Sequence, residues 1–424
     1  MKYNILLIFL ITGICFPVSS QQKISLEEAI STALLNNYGQ QILEVSRKSS
    51  AEDLAQSKRD LLPGFDASVS QNFAKQNNSG AYGINASMDL WKGGQNLNAI
   101  RRSKVALEQS DSKIVQAQNE LAIKVIQSYM TVLMNEELYN YQLNVSEISR
   151  QQMLQGEIKY KSGQILQSDY MLLSSQYAGD NYNLVNSKTT RDNALLELKE
   201  LLCLDLSADI EVVTPDRNVS LFSLELPPLQ EVIEQTLAWL PEIKISSQNI
   251  ELAKIDTKIA RGALSPTLSL KASVGTGYDS MDKSSWGNQF TGNYNHQLGL
   301  TLSIPIWNKG KTYSDIKQSR YKQVQAELES KQTELNVRTE LEKQYYDIVS
   351  LREKYFASQA SSDAYEQTFK VFSAQFEAGA INTTELLQQQ NNYLSALSEY
   401  LQSKYGYLFN RKVLDVYMGR EILI

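Results

Sequence analysis

The chain contains one structural plan twice, and this duplication restricts its architecture more than any other feature. Pro63 aligns with Pro266, an offset of 266 − 63 = 203 residues, and each follows a helical pattern and precedes a strand-like one. Further along, Gly163 aligns with Gly379, an offset of 379 − 163 = 216 residues. The second copy is therefore longer by 216 − 203 = 13 residues, which fall in the turn-rich segment between its two strands. A period of about 200 residues indicates a duplicated domain and not a solenoid.

Each copy is predicted to form an αββαα unit. A helix from about Ser25 ends near Leu62, where Pro63 stops it, and two strands follow in which every second residue is apolar. A long helix then carries apolar residues every seven positions, as coiled coils do, and Ser162-Gly163 turns the chain into a second long helix.

These patterns predict a signal peptide followed by two repeats around a linker. The signal, with Lys2, an apolar run and small residues before Gln21, covers 1–20. The first repeat covers 21–204, with strands at about 64–75 and 81–91. The linker covers 205–228, and the second repeat covers 229–424, with strands at about 267–278 and 293–306. After the signal, no apolar run reaches the ~18 residues of a membrane helix.

The strands favour an outer-membrane β-barrel over soluble hairpins. They are about ten residues long, they alternate, and they carry aromatic residues near their ends, among them Phe65, Trp91 and Trp307, which we expect at the membrane interface. Four strands cannot close a barrel, because the smallest have about eight. Two chains would give about eight strands around a filled interior, and three would give about twelve around an open lumen. A pore therefore requires at least a homotrimer in outer-membrane lipid.

Composition argues against several other classes of protein. The chain has one histidine, and only Cys203 remains after the signal, so we expect no disulfide framework and no metal site. The formal net charge of −6 argues against nucleic acid as a partner. No motif for a catalytic or cofactor-binding residue is present, so the sequence predicts neither an enzyme nor a cofactor.

The ordered set of motifs resembles the TolC family of outer-membrane efflux proteins. It comprises the duplication, Leu61-Leu62-Pro63-Gly64-Phe65 before the first strand, Trp91-Lys92-Gly93-Gly94 after the second, and an aromatic-x-x-Gly turn in each copy. The resemblance implies a mainly α trimer: a 12-stranded barrel continued by a long α-helical periplasmic tunnel, with a belt from the segment Cys203 to Pro228. It also implies a passive exit duct that serves an inner-membrane efflux pump or ABC exporter through a periplasmic adaptor protein.

The resemblance also implies a function for the two helical turns. They would form the tunnel's periplasmic entrance, closed at rest, with Tyr160, Gly163, Asp169, Phe376, Gly379 and Glu385 as its residues. A charge pair such as Lys161 with Glu385 could join neighbouring turns. The sequence departs from one branch of the family at Phe376, Ile381 and Gln388, so that branch's lock and cation ring are not expected here.

Two alternatives remain open at this stage. Asp169 and Glu385 could simply stabilise their helices through the helix dipole, worth about 0.3–1 kcal/mol each. The whole chain could instead be a structural coiled-coil or adhesin-like outer-membrane protein without a transport role. The sequence does not identify a substrate or the class of pump.

Overall fold

The computed structural model describes residues 22–75, 77–213 and 226–420, so the predicted signal peptide and half of the predicted linker (214–225) lie outside the described residues. The helices are α1 (Leu26–Asn36), α2 (Tyr38–Arg59), α3 (Gln95–Lys161), α4 (Gln167–Leu201), α5 (Leu229–Trp239), α6 (Pro241–Gly262), α7 (Trp286–Gly292), α8 (Lys311–Glu377) and α9 (Thr383–Tyr417). The strands are β1 (Gln22–Ile24), β2 (Gly64–Phe73), β3 (Asn78–Lys92), β4 (Ile210–Val212), β5 (Thr267–Asp279) and β6 (Asn295–Ser303).

The duplication is visible in the lengths of the helices. α1 and α5 both have 11 residues, and α2 and α6 both have 22. The long helices α3 and α8 both have 67 residues, and α4 and α9 both have 35. At about 1.5 Å per residue, each 67-residue helix is about 100 Å long.

The predicted αββαα unit is wrong in one respect, because each copy begins with two helices. In the first copy the break is at Asn37, whose backbone is extended and whose side chain accepts a hydrogen bond from Gly39 N at 2.8 Å. In the second copy it is at Leu240, and Pro241 takes the first position of α6. Asparagine as an N-cap and proline at the first helical position both favour the start of a new helix. The unit is therefore ααββαα, and the second copy adds α7 between its strands.

The strands of both copies form one antiparallel sheet in the order β2-β3-β5-β6. Its register aligns apolar residues in rows across the four strands. One such row consists of Phe65, Ala86, Ala272 and Leu298. These residues, with Ala67, Val69, Ile84, Met88, Leu268, Leu270, Val274, Leu300 and Leu302, make one face, which we call the apolar face. The other face is polar, and on it Asn85 Nδ2 donates to Asp66 Oδ2 at 3.0 Å. Strands β2 and β6 are the two edges of this sheet.

The main core lies partway along the helices and away from this sheet. There the middle of α3 packs against α1, the end of α4 and the end of α9, with Tyr129, Leu133, Leu198 and Tyr407 fully buried. The short strands β1 and β4 pair in parallel beside it. Tyr129 Oη lies 2.7 Å from Val213 O and 3.0 Å from Ile24 O, so one phenol fastens both strands to α3. Among the described helices, none combines the length and the hydropathy that crossing a membrane requires.

Candidate functional site

Both helical hairpins turn at a glycine in the left-handed conformation. Gly163 has φ of +73°, and its N–H donates to Tyr160 O at 2.9 Å, while Gln164 N donates to Lys159 O at 2.8 Å. Gly379 has φ of +74°, and its N–H donates to Phe376 O at 3.0 Å. This pair of bonds is the Schellman ending of a helix, in which glycine avoids the steric cost of the left-handed conformation. The two turns thus share one geometry that the sequence repeats.

The two acids of the turns occupy the same helical position but different surroundings. Asp169 and Glu385 are each the third residue of their helix, in α4 and α9. Glu385 belongs to a capping box: its N–H donates to Asn382 Oδ1 at 2.9 Å, and its carboxylate accepts from Asn382 N at 3.4 Å. The N-cap of helix α4 is Leu166, whose side chain makes no capping hydrogen bond. Glu385 therefore caps its own helix, whereas Asp169 makes no such bond to the N-cap of α4.

Lys159 joins the two turns within one chain. Its Nζ donates to Glu377 O at 3.3 Å and lies 5.6 Å from the centre of the Phe376 ring. Lys161 instead bonds to Glu157 on its own helix at 2.7 Å, and this contact raises the pKa of Lys161. Within one chain Lys161 thus pairs with Glu157, one helical turn away, and the pairing of Lys161 with Glu385 between neighbouring hairpins stays a prediction. Sequence reasoning did not single out Lys159 as the linking residue.

The aromatic residues of the turns have different partners. The Tyr160 ring stacks on Tyr170, with ring centres 5.7 Å apart and planes 2° apart, so it braces α3 against α4 inside its own hairpin. Phe376 lies under Lys159 of the other hairpin. The structure thus brings Phe376 to the link between turns and keeps Tyr160 within one of them.

A buried carboxylate, which sequence reasoning missed, ties the hairpins together farther from the turns. Asp180 of α4 is 5% exposed and accepts bonds from Ser149 Oγ of α3, from Gln176 Nε2 at 3.0 Å and from Gln390 Nε2 of α9 at 3.0 Å. The available signal was its spacing: Asp180 lies seven residues after buried Leu173 and fourteen before buried Ala194. A polar residue on such an apolar seam commonly fixes the register of packed helices.

A second link between the hairpins lies nearer the core. Glu137 of α3 accepts hydrogen bonds from Lys404 Nζ at 2.7 Å and from Tyr405 Oη at 2.6 Å, both on α9. These side chains are partly buried, so water screens the pair less than it screens an ion pair at the surface. Together with Asp180, this contact ties α9 to the first hairpin at two positions along the long helices.

The aromatic residues predicted for the membrane interface lie at the helix-proximal end of the sheet. Phe65 is 76% exposed near the start of β2, and Trp307, also 76% exposed, follows β6. The register of β3 with β5 shifts between Asp89 and Trp91, which places Trp91 opposite Leu268 on the apolar face. A bulge of this kind re-aims a side chain at the end of a strand.

Comparison with known proteins identifies the fold and the family. Residues 232–420 match the family model "Outer membrane efflux protein". TolC of Escherichia coli is 23% identical over 426 aligned residues, which cover 95% of this chain and 83% of TolC. Residues 232–420 of this chain belong to the family of outer membrane efflux proteins.

Two further similarities support this assignment. The alkaline protease secretion protein AprF of Pseudomonas aeruginosa is 21% identical over 316 residues, covering 73% of this chain and 63% of AprF. The crystal structure of CusC superimposes with a TM-score of 0.78 at 18% identity, covering 93% of this chain and 92% of that one, which shows the same fold.

Family membership confirms the predicted resemblance and the predicted class of function. An outer membrane efflux protein is a transport protein and not an enzyme. The predicted mainly helical fold with a four-stranded antiparallel sheet in each chain is confirmed, apart from the additional helix in each copy.

Proposed function

We propose that three copies of this outer membrane efflux protein form one exit duct through the outer membrane. Substrates would move passively from an inner-membrane pump, through a periplasmic adaptor protein, into the tunnel of long helices and out through the barrel. The observation that carries this proposal is the four-stranded sheet, with one apolar face, one polar face and two edge strands.

The faces of the sheet match a membrane barrel. On the apolar face of β6, Leu298, Leu300 and Leu302 are 75%, 63% and 60% exposed in the single chain. A soluble protein rarely exposes so continuous an apolar surface, whereas a barrel turns such a face toward lipid. The polar face, with its Asp66–Asn85 contact, would then line water. The sheet is therefore amphipathic in the sense that a membrane pore requires.

The two edges of the sheet support a barrel that several chains share. Backbone groups at a strand edge cannot remain unpaired in the hydrocarbon region, so β2 of one copy would pair with β6 of the next. Three chains with four strands each give twelve strands and an open lumen. Six long hairpins would then surround the tunnel, and the two repeats, 21–204 and 229–424, would alternate around it.

We place the periplasmic entrance at the two turns. Three chains would bring six turns together, each with its Gly163 or Gly379 geometry and with Asp169 or Glu385 in the first turn of the returning helix. Lys159 holds the two turns of a chain to each other through one exposed hydrogen bond and one ring contact. Such contacts contribute about 0.2–1 kcal/mol each, weak enough for an adaptor protein to displace them.

The partners and the location follow from the same proposal. The protein would be located in the outer membrane, with its helices in the periplasm, and the pump or ABC exporter would supply the energy. AprF is named for the secretion of a protease, so a secreted polypeptide belongs among the substrates to test beside small molecules.

The test is single-channel recording in a planar lipid bilayer. The wild-type protein is expected to conduct weakly at rest, and Lys159→Met is expected to conduct more because the two turns lose their link. Lys161→Met is the matched control, since Lys161 bonds only within its own helix turn at Glu157 in the described contacts. A protein that inserts but never conducts would contradict the duct. Equal conductance of the two variants would contradict the role of Lys159 at the entrance.

A further inference from the structure

The additional residues of the second copy form an ordered segment between β5 and β6. This segment, Ser280–Tyr294, contains α7, whereas only residues 74–77 join β2 to β3 in the first copy. The proposed exit duct and entrance do not require this segment. The face of the sheet on which the segment lies indicates whether it restricts the pore or contacts the surroundings of the barrel.

The segment folds back onto the apolar face of the sheet. The Phe290 ring lies 5.3 Å from the ring of Tyr82, and Thr276 Oγ1 donates to Phe290 O at 2.5 Å. Tyr82 and Thr276 lie directly opposite each other in the register, and both alternate in phase with Ile84 and Val274. Helix α7 is thus attached to the side of the sheet that carries the apolar residues, and not to the polar side.

A buried glutamine holds the segment in one conformation. Gln289 is 6% exposed, and its Oε1 accepts from Asp279 N at 2.8 Å. Its Nε2 donates to Asp282 O and to Ser284 O, both at 3.0 Å. Asn293 Nδ2 adds a bond to Gly277 O at 2.8 Å. The amide of Gln289 thus bonds through both its oxygen and its nitrogen and ties α7 to the end of β5 and to the loop that follows it.

The segment leaves large apolar side chains uncovered. Trp286 packs against Phe290 with ring centres 4.6 Å apart, yet 59% of Trp286 is exposed. Met281 is 69% exposed and Tyr294 is 59% exposed. Beside them an open groove of about 310 Å³ runs along the sheet, lined mainly by Ala67, Val69, Tyr82, Ile84, Val274 and Tyr294.

We propose that Ser280–Tyr294 lies outside the barrel, at the level where the lipid headgroups of the outer leaflet meet the acyl chains. Trp286 and Tyr294 occupy that interface, which both residue types favour because each has an apolar ring and a polar tip. The groove is continuous with the apolar face and accepts a lipid acyl chain. The segment consequently anchors the barrel to lipid and leaves its exit open. This inference rests on the proposed barrel, since only a barrel turns the apolar face toward lipid.

The test measures the quenching of tryptophan fluorescence in reconstituted bilayers. The chain has four tryptophans, so Trp91→Phe, Trp239→Phe and Trp307→Phe together leave Trp286 as the only emitter. Lipids brominated near the top of their acyl chains are expected to remove most of the Trp286 emission, and aqueous iodide is expected to remove little. A matched variant retains Trp239 alone, which is 43% exposed on α5, far from the sheet. Its emission is expected to respond to iodide and not to brominated lipid.

The outcomes separate this inference from the function on which it rests. If the Trp286 variant conducts in a bilayer while iodide and not brominated lipid quenches it, the duct stands and the lipid anchor is overturned. Loss of conductance together with no lipid quenching would overturn the proposed barrel itself. In a second variant, two glycines replace residues 281–292. Unchanged single-channel conductance is expected, whereas higher conductance would show that the segment covers the exit and would overturn the proposal.

Discussion

Asp180 is a buried carboxylate whose partners are a serine hydroxyl and two glutamine amides, contributed by α3, α4 and α9. Burying a charge is unfavourable unless hydrogen bonds compensate for lost water, and these three donors supply that compensation. Buried polar residues of this kind fix the register in which the two hairpins of a chain pack. The glycines of the turns fix the position at which each hairpin reverses direction.

Replacing Asp180 is expected to loosen the hairpins. Asp180→Ala leaves three donors without their acceptor and should lower the free energy of unfolding by about 2–4 kcal/mol. Asp192→Ala, at a half-exposed site on the same helix that pairs with Arg191, should cost under about 1 kcal/mol. Thermal loss of helical circular dichroism measures both. Equal midpoints for the two variants would show that the Asp180 contacts contribute little stability.

Replacing the glycine of a turn is expected to strain it. Gly163→Ala and Gly379→Ala force a side chain into φ near +73° and +74°, which should cost about 1–2 kcal/mol each. Gly179→Ala is the matched control, because it lies inside α4 with open space around it and should instead stabilise by about 0.5–1 kcal/mol. Chemical denaturation gives all three values. A turn variant as stable as the control would mean that the turn has another accessible conformation.

At the scale of whole elements, much of the structure could be predicted from the sequence. Alternation at Phe65, Ala67 and Val69 and the heptads of α3 are periodic signals, and the structure places β2 and a continuous helix there. The break at Asn37 was missed because helical residues continue on both sides of it. Helix α7 was missed because a turn-rich composition hides a seven-residue helix.

The contacts between elements could be predicted least. Lys159 and Asp180 act on residues 218 and 210 positions away, and no local pattern reports such a distance. The glycine of each turn, by contrast, could be predicted from the sequence, because the left-handed backbone of the turn itself favours glycine. The roles of Asp169 and Glu385 at an entrance stay predictions, and Glu385 has a capping role in any case.

The attachment of β1 and β4 to α3 offers a test at this scale. Burial raises the pKa of Tyr129 to about 12, so the folded protein holds this phenolic proton more tightly than the unfolded chain. Stability from Tyr129 is therefore complete below its ordinary pKa of 10.0 and is lost as pH rises toward 12. At neutral pH, Tyr129→Phe should be about 1–2 kcal/mol less stable than the wild type, because Val213 O loses its hydrogen-bond donor. Between pH 10 and pH 12, however, the variant should lose less stability than the wild type, because it has no phenol to ionise at this position.

Urea unfolding of the wild type and of Tyr129→Phe at neutral and alkaline pH gives these values. Tyr417→Phe is a suitable comparison, because burial also raises the pKa of Tyr417, which lies at the end of α9 rather than against β4. Parallel pH profiles for the wild type and Tyr129→Phe would contradict the assignment of alkaline sensitivity to this phenol.

At the scale of the whole molecule, a single chain leaves surfaces and strand edges without partners. Its sheet has an apolar face that is largely exposed and two edge strands, while its hairpins extend far beyond the buried core. In the proposed assembly, copies of the same chain would pair these edges, turn the apolar faces toward lipid and pack the hairpins side by side. Three duplicated chains would then contribute six nearly equivalent hairpins.

The number of chains in the detergent-solubilised particle tests the central claim most directly. Light scattering, corrected for bound detergent, is expected to give three chains per particle, with the helical content of the structure retained. A particle of two chains would close about eight strands around a filled interior and leave no pore. A stable single chain with full helicity would contradict the shared barrel altogether.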